Sequence, residues 1–300
     1  MSDPSARICS EASLATGEPL AGTASDARFF AAVSWPKTLW HHDKVALSEG
    51  LPKSLGELEK AARQAGQKLQ LRLFQRASGA AKDRVEVICA DFLEARTAQL
   101  QDLPADRSAA SIAEFLAGGG AAKPLERPLL LVCTDGKHDL CCGKLGRALF
   151  ASLRADARLD VAEVSHLGGH RLAANCLALP SGELYGRVAA ADARALVDSL
   201  QHDRVYLPRY RGRSGFDELA QVSLAAVLER FPEATGIRIG AAADADGARV
   251  LPVELRAGDG IRRIAVRCVA REFRAIASCG DALPERRDRW VVASTQMEET

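Results

Sequence analysis

PLLLVCTDGKHDLCCGKLGRALFASL, Pro128 to Leu153, followed after a short connection by LDVAEVSHLGGHRLAANCLALPSGELYGRV, Leu159 to Val188, carries the pattern that decides the fold. Its first six residues form a continuous apolar run, as a strand buried on both faces requires. From Asp139 to about Ala155, Cys141, Leu145, Ala148, Leu149 and Leu153 recur at helical spacing and make one apolar stripe. Leu159 to Ser165 reads as a second strand, ending in HLGGH. Two further strands flank the turn Pro180-Ser181-Gly182-Glu183, with Leu177 and Leu179 before it and Leu184 to Val188 after. A helix from about Ala189 to Leu200, the basic loop RYRGRS from Arg209 to Ser214 and a helix from Phe216 to Arg230 complete the stretch. The last helix turns Leu219, Val222, Ala226 and Val227 inward.

That β-α-β-β-α order predicts a thioredoxin-like α/β sandwich over residues 125–232. Upstream, the glycine run GGGAAKP, Gly118 to Pro124, reads as a linker. Before it, the 23–117 segment holds a strand candidate, FFAAVSW from Phe29 to Trp35, stopped by Pro36. Ser54 and Glu57 have capping-box spacing, Leu55, Leu58, Ala61 and Ala62 share a helical face, and Gly66 sits at the C-terminal cap position. Leu69, Leu71 and Leu73, then Val85, Val87 and Cys89, alternate as in half-buried strands, and a helix is expected near Ser108 to Leu116. Residues 1–22 are small and polar and read as a flexible tail in which Cys9 is incidental. Residues 233–300 form a strand-rich extension with too few apolar strands to stand alone, expected to pack on the N-terminal segment. The fold class is therefore α/β, with an additional α+β unit built from the N- and C-terminal segments. No internal repeat is visible in the sequence.

Three hundred residues suit one or two domains at about 150 residues each and bury a core without disulfide staples. Forty basic and 39 acidic side chains leave a net charge of +1, which argues against a nucleic-acid or membrane partner held by bulk charge. The apolar run at Pro128 to Cys133 is too short to span a bilayer. MSDPSARICSEASLATGEPL has neither a basic nor an apolar leader region, so the expected compartment is the cytoplasm. Eight cysteines there stay mostly reduced and open to metal or redox chemistry.

Four metal donors fall close together in loops: Cys133 and Cys142, with eight residues between them, and His166 and His170 at the ends of HLGGH. Singly, such a cysteine reads as a small core side chain and such a histidine as a solvated one. Together, bracketing two glycines that let the chain bend tightly, they read as a ligand set. Two thiolates and two imidazoles suit zinc or a [2Fe-2S] cluster, and the residues alone leave that choice open. The zincin pattern is absent, since Leu167 stands where its glutamate belongs. Cys141 lies on the helix's apolar stripe, whereas Cys142 is rotated about 100° from it toward the loops and is the better ligand. Cys176, Cys268 and Cys279 sit among apolar neighbours and read as structural.

CTDGKHDLCCGKLG (Cys133–Gly146), SHLGGHRLAANCLALPSGELYGRV (Ser165–Val188) and RYRGRSG (Arg209–Gly215) resemble the sucrase/ferredoxin-like family, which carries a thioredoxin-like ferredoxin domain. The resemblance implies that Cys133 and Cys142 hold the ferric iron of a [2Fe-2S] cluster and that His166 and His170 hold the reducible iron. It is strong over Pro128 to Arg230, and Cys141 departs from the pattern. The function expected is a soluble electron-transfer or redox-responsive protein, an electron carrier more than a catalyst, serving a redox partner protein or a small mediator. A structural zinc site in an α/β interaction module is the alternative. A thiol oxidoreductase on Cys141 and Cys142 lacks the usual C-x-x-C, and a nucleotide-dependent enzyme lacks its phosphate loop. Arg209, Arg211 and Arg213 read either as a solvated basic loop or as a dock for an acidic redox partner.

Overall fold

The computed structural model describes residues 8–298 except 43, 121, 122, 126, 280 and 282. A short helix, α1 (Cys9–Ala15), is followed by a first α/β unit: β1 (Phe29–Ser34), α2 (Lys53–Gln64), β2 (Leu69–Arg76), β3 (Arg84–Asp91), β4 (Arg96–Pro104) and α3 (Ser108–Leu116). β1 and β2 are parallel, β3 runs antiparallel on the other side of β1, and β4 antiparallel to β3. Strand alternation explains why every residue of β1 is buried. Phe29, Ala31 and Val33 face Leu55, Ile112 and Phe115 of the helices, while Phe30 and Ala32 face a second core. α2 starts at Lys53 after Pro52, so the expected capping box does not form: Ser54 lies inside the helix, with no side-chain cap bond at its start. Gly66 does cap the other end, at φ +70°.

The second unit repeats the order with β5 (Leu129–Cys133), α4 (Leu140–Leu153), β6 (Asp160–Val164), β7 (Cys176–Leu179), β8 (Glu183–Tyr185), α5 (Ala193–Gln201), β9 (Tyr210–Arg213) and α6 (Glu218–Arg230). β5 and β6 are parallel, with β7 antiparallel to β5 and β8 to β7, the thioredoxin-like βαβ–ββα topology. The first unit has that same topology, so a structural repeat exists where the sequence shows none. The two units join where β2 pairs antiparallel with β6, Phe74 opposite Val164, making one nine-stranded sheet, β4-β3-β1-β2-β6-β5-β7-β8-β9. The sheet curls on itself: Phe30, Phe74 and Ile88 of the first unit share a core with Leu131, Val164 and Leu177 of the second. Helices cover the outer faces, α2 and α3 on one unit and α4, α5 and α6 on the other.

The chain then forms β10 (Thr235–Ile239), β11 (Ala243–Ala245), β12 (Ala248–Ala257), β13 (Gly260–Ala275) and β14 (Glu285–Met297), an antiparallel sheet ordered β10-β12-β13-β14 with β11 on β12. Its apolar face packs not on the 23–117 segment, as expected, but on α6. The reason is that α6 is apolar on two sides. Leu224, Ala225 and Leu228 face the second unit, while Val222 and Val227 face Leu251, Val253 and Val266 of the new sheet.

The expected flexible tail is also corrected over its described part. α1 is packed, with Cys9 and Ser13 buried, and Glu18 has no exposure because its carboxylate takes two donors from buried Arg171, at 2.6 and 2.9 Å. Small polar residues do not announce such anchoring, because the matching charge lies 153 residues away. Residues 1–7 of that tail lie outside the described residues, as do Ala121 and Ala122 of the expected linker, whose Lys123 accepts from the Gln99 backbone N–H at 2.8 Å. Among the described residues no helix is long and apolar enough to cross a membrane.

Candidate metal centre

Cys133 is the last residue of β5 and wholly buried. Asp139 caps α4, its carboxylate accepting the Cys141 N–H at 2.8 Å, so the helix starts beside the strand end that carries Cys133. Glycine makes that approach feasible. A Cβ on Gly146 would overlap the Cys133 carbonyl oxygen, and one on Gly143 would come within 2.6 Å of the Gly136 Cα. The close packing turns Cys142 toward Cys133 and His166, with the His166 Nδ1 3.8 Å from the Cys142 Sγ. The ligand atoms of Cys133, Cys142 and His166 all lie within 4.8 Å of one another.

HLGGH leaves the end of β6 and bends through Gly168 (φ +94°) and Gly169 (φ +70°) before His170. Arg211 holds this bend. Its guanidinium donates to the Gly168 carbonyl at 3.0 Å, to the Asn175 Oδ1 at 2.9 Å and to the Thr23 hydroxyl and carbonyl oxygens. This corrects the reading of Arg211 as part of a solvated or docking loop. Arg211 and Arg213 lie in strand β9 and Arg209 just before it; Arg211 is buried, Arg209 pairs with Asp192 and Arg213 with Glu183. A guanidinium's five donors suit an interior rich in loop oxygens, and burial pushes the Arg211 pKa down to about 9.

His170 lies 5.4 Å from His166 between ring centroids and turns its Nδ1 to the Asp139 Oδ2 at 3.1 Å. That leaves its Nε2 as the free donor, the arrangement in which a carboxylate orients a metal-ligating imidazole. His138, inside CTDGKHDLCC, was not singled out by spacing. It stacks on His166 at 3.7 Å and joins His166 and His170 in a second group of close donors. Its place within the motif was the only available signal. Cys141 turns away from this centre, to Cys9 and Cys279.

The hydrogen bond with Cys142 holds the Cys133 thiol well below the ordinary thiol range despite burial, and His166 adds to the effect. The same contact, with burial, raises Cys142. Burial lowers His166, keeping it a neutral lone-pair donor. Burial opposes ionisation of Asp139, but hydrogen bonds from His170 and from the Cys279 and Cys141 backbone N–H groups more than offset it and keep the carboxylate charged. The pocket thus offers the sulfurs of Cys133 and Cys142, the neutral His166 imidazole and the His170 ring, a soft and borderline donor set.

The sequence profile described as sucrase/ferredoxin-like matches residues 20–212, more than half of the chain. Among curated proteins, altered inheritance of mitochondria protein 32 of Eremothecium gossypii is 31% identical over 109 residues, which cover 31% of this chain and 35% of that protein. The protein of that name from Clavispora lusitaniae is 30% identical over 100 residues, covering 30% and 37%. The chain thus spans about a third of the length of the curated relatives it matches. Among solved structures, a thioredoxin-like [2Fe-2S] ferredoxin from Aquifex aeolicus aligns over 29% of this chain and 93% of its own, at 14% identity and a TM-score of 0.26.

Proposed function

Since the chain belongs to the sucrase/ferredoxin-like family, we propose that it is a [2Fe-2S] electron-transfer protein whose cluster is held by Cys133, Cys142, His166 and His170. The observation that carries this reading is the convergence of Cys133, Cys142 and His166 at the mouth of the HLGGH bend, with His170 beside them. The donors fit such a group: two fully buried thiols on one side, and two imidazoles on the other with a nitrogen of His170 already oriented by Asp139. When bound, the cluster supplies one-electron chemistry. The chain's own residues set its conditions. Two neutral imidazoles in place of two thiolates leave the site less negative by two charges, which raises the potential above the roughly −400 mV of four-cysteine ferredoxins. Asp139 holds a proton at the His170 Nδ1. The thiol side is closed to water, whereas His170 keeps 18% exposure, so a redox partner protein or small mediator meets the histidine side. The proposal places the carrier in the cytoplasm, whose reducing poise keeps cysteines available as ligands.

Anaerobic purification of the full chain tests the reading. About two irons and two labile sulfides per chain are expected, with a red-brown colour that fades on reduction. His166→Cys should keep the iron, shift the visible spectrum and lower the potential. Zinc without sulfide, or a spectrum indifferent to His166→Cys, overturns the proposal.

A further inference from the structure

We propose that Cys9, Cys141 and Cys279, with the Asp139 carboxylate, bind a second metal ion, a structural zinc, apart from the Cys133 and Cys142 centre. The three sulfurs form a triangle with sides of 3.1 Å (Cys141 to Cys279), 3.3 Å (Cys9 to Cys141) and 3.6 Å (Cys9 to Cys279). The Asp139 Oδ1 lies 3.8 Å from the Cys9 sulfur, and all four ligand atoms fall within 4.8 Å of one another. Zinc bonded to sulfur at about 2.3 Å in a tetrahedron needs sulfurs about 3.8 Å apart, so the triangle has only to widen by a few tenths of an ångström.

The remaining buried cysteines show what a packing thiol looks like in this protein. Cys89, Cys176 and Cys268 lie in separate apolar cores, among aliphatic and aromatic side chains. The trio also touches aliphatic side chains, Ala173 and Ile276 among them, but its three sulfurs meet each other, a carboxylate and the His170 ring, whose Nδ1 is 3.6 Å from the Cys9 sulfur. Its members come from α1, the first turn of α4 and the segment after β13, separated by 132 and 138 residues, so no local periodicity brings them together. Backbone groups already suit metal-bound atoms: the Cys9 N–H donates to the Cys279 sulfur at 3.4 Å, and the Cys279 N–H and Ser278 hydroxyl donate to the Asp139 Oδ2. Cys279 is only partly buried and gives an entry route. Four ligands without an open position describe a structural zinc, which would staple both terminal segments to α4 and release thiol protons to solvent as it binds.

Metal analysis of the full chain, expressed with zinc and iron both supplied, distinguishes the two centres. One zinc per chain is expected in addition to the iron. Cys9→Ser and Cys279→Ser should each lose at least nine-tenths of the zinc while keeping the iron and the visible spectrum, and Cys133→Ser should lose the iron while keeping the zinc. Alkylation of the wild-type chain needs no substitution: Cys9, Cys141 and Cys279 should label at least tenfold more slowly with zinc bound than after chelation. A chain lacking zinc in which the three thiols label as fast with the metal added as without it, a disulfide between two of them, or zinc retained by both serine variants overturns the proposal.

Discussion

One carboxylate, that of Asp139, answers to several neighbours: it caps α4 through the Cys141 N–H and faces the His170 Nδ1. An iron-bound imidazole can lose the proton of its outer nitrogen, more readily when the iron is ferric. In the cluster-bound protein the potential should therefore fall as pH rises, and Asp139→Asn should move the onset of that fall to lower pH. Protein-film voltammetry reads both, and a potential flat from about pH 6 to 10 counts against histidine ligation. The approach of Cys133, Cys142 and His166 was legible because two short segments carry them at fixed spacing, and their placement beside strand ends follows from the strand and helix periods. Cys9, Cys279 and Arg211 were not legible. Each reaches the site through tertiary packing, and each looks locally like something else: a tail residue, a structural thiol, a solvated arginine.

At the scale of elements, α4 lies against the end of β5 only because Gly146 has no side chain. Gly146→Ala, a substitution that favours an isolated helix, should displace α4, cost about 1–3 kcal/mol or more in urea denaturation, and reduce iron content, since Cys142 moves with the helix. α1 and the turn after it depend on a different device. Removing the Glu18 carboxylate leaves Arg171 buried without its partner, and Glu18→Ala should cost about 3–5 kcal/mol, with amide exchange accelerated first in α1. Burial raises the Glu18 pKa, but the Arg171 contacts outweigh it, so the folded value lies below the ordinary one. Its stabilisation is thus complete above the unfolded carboxylate pKa, near 4.3, and is lost as pH falls through the depressed folded value. The helix α4 of the second unit was legible from its stripe, whereas β4 was missed, as an edge strand with a single apolar face shows little alternation.

For the whole molecule, the shared core predicts one unfolding event for both units. Phe74 has no exposure and contacts both sides, so Phe74→Ala should cost about 3–5 kcal/mol and, in the cluster-bound protein, shift two probes together: the fluorescence of Trp35 and Trp40, buried in the first unit, and the visible absorbance of a cluster in the second. Transitions that separate would show the units to be independent. The sequence offered the second unit plainly and the first only as scattered strands, because the repeat lies in strand order and register rather than in residue identity. That register has a last consequence. Phe74 pairs with Val164 across the junction, Ser34 lies beside Phe74 and Cys133 beside Val164, so rotating one unit onto the other superposes Ser34 on Cys133. The serine hydroxyl is already committed, accepting the Glu86 N–H at 2.7 Å. A frame that twofold symmetry would furnish with matching sockets has been wired at one end and blanked off at the other.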